Sequence, residues 1–128
     1  MRRLTATLCL TIAVLLGSTG VSWSADFQKG LTAAQNGDYA TALPFFEPLA
    51  EQGDATAQFN LGIMYENGKG VPKDYVRAHM WFNIAAISGE SENASNNRDI
   101  VATRMNSNQI ETAQKLAREC VRKNYKGC

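Results

Sequence analysis

Covalent or acid–base chemistry needs a nucleophile, a base beside it and a group to orient that base, and this chain offers few residues for those roles. Its single histidine is His79, so Ser-His or Cys-His catalysis would rest on that residue alone. The neighbours Ala78, Met80 and Trp81 set His79 at the edge of an apolar stripe, where a packed or solvated imidazole is the expected state. Glu90 and Glu92 flank Ser91 as a close carboxylate pair. Their segment is polar and opens a helix, so solvation and the helix-start dipole account for them better than acid–base catalysis does. No His, Cys and carboxylate cluster supplies the ligands of a zinc site, and GxSxG, SxxK and a phosphate loop are all missing. Gly68, Gly70 and Pro72 form a loop that no Lys-Ser/Thr follows. The expectation is a protein with no catalytic residue, no metal and no cofactor.

The cysteines say more. There are 3, at Cys9, Cys120 and Cys128, and the first sits in a segment that reads as an address. Arg2 and Arg3 make a positive n-region, Leu8 to Leu16 (LCLTIAVLL) an apolar core, and small residues follow up to Ala25. These are the parts of a secretory signal peptide over residues 1–25, too short for a membrane span and without a lipoprotein box. Cleavage after Ser24 puts Ser22 at −3; cleavage after Ala25 puts Trp23 there. Removal leaves residues 26–128 with an even cysteine count, as one disulfide in an exported chain requires. Cys120 and Cys128 stand eight residues apart with Gly127 before the second, and could close a small ring pinning the end of the last helix. Two reduced thiols or an intermolecular bond are the alternatives. The expected location is the bacterial periplasm or the exterior, with no stable membrane insertion after cleavage.

Charge divides unevenly. The whole chain carries 13 basic and 12 acidic residues, which argues against a protein that works by coating nucleic acid. From Asp26 to Asn97 the balance is −5, and from Arg98 to Cys128 it is +4. Arg118, Arg122, Lys123 and Lys126 crowd the end of the last helix. Cations there suit the helix dipole, or form a basic end for an anionic partner such as a cell-envelope polymer or an acidic protein.

The elements that must carry these residues repeat. At an offset of 36, Asp38, Tyr39, Ala42, Phe46, Ala50 and Gly53 meet identical residues at Asp74, Tyr75, Ala78, Phe82, Ala86 and Gly89, and Phe45 falls on Trp81. Upstream the offset is 32, aligning Phe27 with Phe59 and Gly30 with Gly62. The change falls where the loop Asn67 to Asp74 is longer than Asn36 to Asp38. Each unit reads as two helices: Asp38, Asp54 and Asp74 precede apolar-periodic runs as N-caps, and Gly37, Gly53, Gly68 and Gly89 follow them. The units are 26–53 and 54–89. Residues 91–128 add two capping helices, with a weak stripe of Ala94, Ile100, Val101 and Met105 and a clear one of Ile110, Ala113, Leu116, Ala117, Cys120 and Val121. Asn106 and Gln109 have capping-box spacing. Pro44 and Pro48 fall inside the helix expected after Asp38, which must then be kinked or start late. No segment alternates as a strand does, so the chain reads as all-α.

Ala57 to Gly89 closely resembles the Sel-one-like repeat, a relative of the tetratricopeptide repeat. It has that pattern's Leu61, Gly62 and Tyr65, then Gly68, Gly70 and Val71, Asp74 and Ala78, Trp81 and Phe82, and finally Ala85, Ala86 and Gly89. Phe27 to Gly53, including Gly30, is similar to a shortened copy. The resemblance implies a short right-handed α-solenoid of antiparallel helix pairs, about six helices, exported and acting as an interaction or adaptor module. It implies structural roles for the motif residues, with Tyr65, Tyr75, Trp81 and Phe82 in the core. The partner would be a protein or peptide on the inner curve, met by Gln28, Gln58, Asn60 and Glu66, with Arg118, Arg122 and Lys123 as a second, basic surface. Cysteine-rich relatives suggest the alternative of a β-lactam- or peptidoglycan-directed hydrolase or binding protein. This chain departs from them in having one cysteine pair rather than one per repeat.

Overall fold

The computed structural model describes residues 18–89 and 91–128. The predicted n-region and apolar core of the signal lie outside the described residues. Six helices follow in order: α1 (Ser18–Gln35), α2 (Tyr39–Glu51), α3 (Ala55–Asn67), α4 (Tyr75–Ser88), α5 (Ser91–Ala102) and α6 (Ser107–Arg122). No strand is present among the described residues, and the protein is an all-α solenoid. Helical backbone runs from Ser18 through both predicted cleavage positions.

Each helix start has a local cause. Asp38, Asp54 and Asp74 accept hydrogen bonds from the backbone N–H groups of Thr41, Ala57 and Arg77 at 3.2, 2.9 and 3.0 Å, satisfying donors that a first turn leaves without partners. Asn106 and Gln109 form the full capping box, each side chain accepting from the other's backbone N–H at 2.8 and 2.9 Å. The helix containing Pro44 and Pro48 begins at Tyr39, so the late-start alternative fails. Both prolines are exposed, as is Ala40. The carbonyls of Ala40 and Pro44, which lose their N–H partners, therefore lie on the wet side of the helix, where the missing bonds cost least.

Packing centres on α4, which lies against α3, α5 and α6. The same helix serves two apolar clusters. On one side Trp81, Met80 and Ile84 meet Phe46, Leu49 and Ala50 of α2, Leu61 and Met64 of α3, and Ala117 and Cys120 of α6. On the other, Ala78 and Phe82 meet Val101 of α5, with Phe59, Ile63, Tyr65, Tyr75 and Met105 around them. The last two helices thus straddle α4, and no comparable contact joins α5 to α6. Their buried stripes are accordingly narrower than the sequence suggests. Ile100 is 52% exposed and Leu116 36%, while Ala94, Val101, Ala113 and Ala117 are buried.

Small residues set the spacing between helices. A Cβ at Gly62 would lie 2.5 Å from Cε1 of Phe82, and one at Gly30 would lie 3.0 Å from Cβ of Phe45. Gly70, at φ +72°, lets its loop approach the carbonyl oxygen of Tyr39, which a Cβ would meet at 2.9 Å. Ala78 and Ala85 are fully buried, Ala86 half-buried.

Candidate functional site

α1 and α2 pack against one another and leave a cleft of about 570 Å³, lined by Gln28, Lys29, Thr32, Ala33, Asn36, Asp38, Thr41 and Phe45. The floor is apolar, from Ala33 and the half-buried Phe45, and the rim carries amides, hydroxyls and one charge of each sign. Hydrogen bonds from the side chain and backbone of Thr41 hold the Asp38 carboxyl below the ordinary carboxylate range, so it stays ionised. Lys29 is loosely paired with Asp26 at 3.9 Å and remains largely exposed.

Two smaller clefts of about 80 and 160 Å³ lie on either side of Cys128 and Arg77, which line both. The first is closed by Glu47, Glu51, Leu61, Tyr65 and Trp81, the second by Met80, Leu116, Glu119, Cys120, Lys123 and Gly127. Cys120 and Cys128 are joined as a disulfide, with Cα atoms 5.6 Å apart. The Arg77 guanidinium donates to the carbonyl oxygen of Cys128 at 3.3 Å, faces Asp74 at 3.7 Å and lies over the Tyr65 ring at 5.7 Å.

Gln28, Asn60, Glu66 and Gln58 do not form one surface. Gln28 is exposed and lines the α1/α2 cleft. Asn60 and Glu66 are half-buried on α3, with the Asn60 amide donating to the carbonyl oxygen of Thr56 at 3.0 Å. Gln58 is corrected outright: it is fully buried and cannot meet a partner. Its amide donates to the Ala50 carbonyl at 3.1 Å, tying the last turn of α2 to α3, and its Oε1 has no partner. A glutamine at that position reads as a surface residue until the α2–α3 packing is known. Arg118, Arg122 and Lys123 are exposed along α6 and its end.

His79 is buried at 3% exposure, and its Nδ1 has no hydrogen-bond partner. Burial, and then the nearby Arg98 charge, push its pKa below the ordinary 6.5, with Asp99 opposing weakly. It is a packed residue between α4 and α5. On the same side, the Tyr75 hydroxyl is held below its ordinary value by Lys73 and Arg104, whose charged groups lie 5.0 and 5.9 Å from its ring centre. Among the described residues no three His, Cys, Asp or Glu side chains gather to hold a metal ion, and no helix is long and apolar enough to cross a membrane.

A family model described as the Sel1 repeat matches residues 55–90, which span α3, its following loop and α4. DAP3-binding cell death enhancer 1 of Rattus norvegicus and that of Mus musculus are each 37% identical over 49 residues. That stretch is 38% of this chain and 10% of either relative. Among solved structures, that of c5321, a protective antigen of uropathogenic Escherichia coli strains displaying an SLR fold, superposes with a TM-score of 0.71. It is 28% identical, over 80% of this chain and 24% of that one.

Proposed function

The chain is a Sel1-like repeat helical protein, and from that premise we propose that it is an exported, non-catalytic adaptor that binds a protein partner. Sel1 repeats serve as protein–protein interaction modules, and the cleft between α1 and α2 is the observation that carries the reading here. It is wide, open and mixed in polarity, which suits a segment of another protein better than a small enclosed substrate. Export is supported by Arg2, Arg3 and the apolar run Leu8 to Leu16, and by the Cys120–Cys128 disulfide, a bond that persists in oxidising compartments.

Two measurements test this. Fractionation of cells expressing the full chain should place it outside the cytoplasm, with a mass shortened at Ser24 or Ala25. Crosslinking in those cells should trap one partner reproducibly; repeated recovery of none overturns the adaptor reading. The hydrolase alternative has no observation in its favour, since His79 is buried and the cysteines are joined. Hydrolysis of a chromogenic β-lactam or of muropeptides by the oxidised protein, abolished by His79→Ala, would reinstate it.

A further inference from the structure

The open cleft on the first unit has an internal counterpart. The offset of 32 places Lys29 on Leu61 and Ala33 on Tyr65, and the offset of 36 places Thr41 on Arg77 and Phe45 on Trp81. Lys29, Ala33, Thr41 and Phe45 line the α1/α2 cleft, and Leu61, Tyr65, Arg77 and Trp81 line the small cleft of the second unit. The two are the same site in successive repeats. They differ in what covers them. In the second unit Glu47 and Glu51 of α2, together with Cys128, close it, and about 80 Å³ remains. In the first unit no described helix does so, and about 570 Å³ stays open.

We propose that the α1/α2 cleft is a helix socket, taking an amphipathic, acid-flanked helix of a partner protein in the position that α2 holds on the second unit. This rests on the interaction reading above and names the class of partner. The internal interface supplies the template for shape: a helix whose apolar stripe lies on the floor, as Phe46, Leu49 and Ala50 lie against Leu61 and Trp81. It also supplies the template for charge. Glu47 and Glu51, one turn apart, line the second unit's cleft together with the cation Arg77. In the first, Lys29 provides a cation on the opposite wall, loosely paired with Asp26 at 3.9 Å, while the Asp38 carboxylate on the same rim is an anion that an acidic flank must avoid. Lys29 and Thr32 stand where the second unit has the buried Leu61 and Met64, so this surface tolerates water when empty. That polarity suits a repeat interface which is wet until a partner covers it.

The probe is a synthetic helix carrying the α2 sequence from Asp38 to Gln52 with both prolines replaced by alanine, titrated into the full chain and followed by amide chemical shifts. Saturable shifts are expected at Gln28, Lys29, Thr32, Ala33, Asn36, Thr41 and Phe45. Thr32→Arg, at an exposed position, should weaken binding at least tenfold without altering the helical signal. Lys29→Glu should weaken it severalfold, and a peptide with both glutamates changed to lysine should recover part of that loss. Absence of saturable shifts, shifts centred on α6, or indifference to Thr32→Arg overturns the socket. A photocrosslinker at position 32 in cells separates the two claims. Crosslinks recurring every three or four residues on one acid-flanked segment of another protein support the socket. Crosslinks to a second copy, to residues 1–17 of this chain, or in an extended pattern overturn it and leave the interaction reading standing. A partner trapped only from other positions does the same, and no partner from any position removes both.

Discussion

The rings of Phe59 and Phe82 lie 5.6 Å apart at 50°, and one unit earlier Phe27 and Phe46 repeat the arrangement at 6.0 Å and 55°. The offset of 32 relates Phe27 to Phe59, and 36 relates Phe46 to Phe82, so the two loop lengths deliver one tertiary contact twice. Gly30 and Gly62 stand beside these pairs with the same register, each where a Cβ would press on the second ring. Tilted rings at this distance bury large area and add a modest electrostatic preference.

Gly62→Ala should therefore be costly although alanine is the better helix former. The new Cβ would also meet Cγ of Phe82 at 3.1 Å, and that fully buried ring has no room to turn away. A loss of about 1–3 kcal/mol is expected from overpacking, against a propensity gain of about 1. Thermal unfolding of Gly62→Ala and of Gly62→Ala/Phe82→Leu checks it. If the ring is the obstacle, the double variant loses less than the sum of the two single changes.

Gln58 makes a different prediction. Its amide is tied to Ala50 while Oε1 is buried without a partner, so half of the group is satisfied and half is penalised. Gln58→Met removes both together and should change stability by no more than about 1 kcal/mol. Gln58→Glu removes the donor and sets a carboxylate against the Ala50 carbonyl, which should cost about 3 kcal/mol or more near neutral pH and less below pH 4. Equal losses for the two variants would contradict this account.

Much of the fold was legible because several signals agreed. The Asp caps, the glycines after each helix and the 36-residue register all pointed to the same boundaries, and Trp81, Phe82, Ala78 and Leu61 are buried as the repeat pattern implies. The prolines of α2 were ambiguous, since only the exposed side on which Ala40, Pro44 and Pro48 fall makes a continuous helix tolerable. The candidate site was less legible. Thr32, Ala33, Thr41 and Phe45 carry no chemical signature, and their role depends on which helix covers each repeat. Gln58 misled because polarity marks a surface only when the neighbouring helix offers no acceptor. Ile100 and Leu116 misled because α5 and α6 each use one narrow face against α4 rather than packing on one another.

His79 should make stability depend on mildly acidic pH. Its folded-state pKa lies below the ordinary 6.5, so the unfolded chain binds the proton more readily. Stability is therefore fully present above about pH 6.5 and falls as pH drops from there towards the folded-state value, with a slope of at most about 1.4 kcal/mol per pH unit. Arg98 deepens the effect and Asp99 offsets part of it. Urea midpoints between pH 5 and 7.5 should slope in the native sequence and flatten in His79→Leu. A slope unchanged in that variant would assign the effect to other groups.

The segment after α6 should loosen when the disulfide is reduced, while the solenoid stays folded. Asn124 and Tyr125 both have left-handed backbone, at φ 53° and 66°, and for a tyrosine that is a strained state, of the order of 1–3 kcal/mol. Opposing the strain are the backbone bonds from Asn124 to Val121 and from Tyr125 to Cys120 at 3.1 and 2.9 Å, and the longer-range contacts of Arg77 with the Cys128 carbonyl, Ser88 with the Tyr125 hydroxyl at 3.4 Å and the Tyr125 ring with Gly53. A dithiol would attack Cys128, which lines both small clefts, and displace the buried Cys120. The second thiol then frees Cys128 and leaves the reagent oxidised. Cleavage at Ser24 or Ala25 leaves Trp81 without a second tryptophan, and its acrylamide quenching should rise on reduction, because Cys128 closes one side of the cleft that Trp81 lines. Exchange protection should fall at residues 123–128 and persist through α2, α3 and α4. Loss of the whole helical signal on reduction would instead make the disulfide a global staple, of about 2–3 kcal/mol, rather than a local tie.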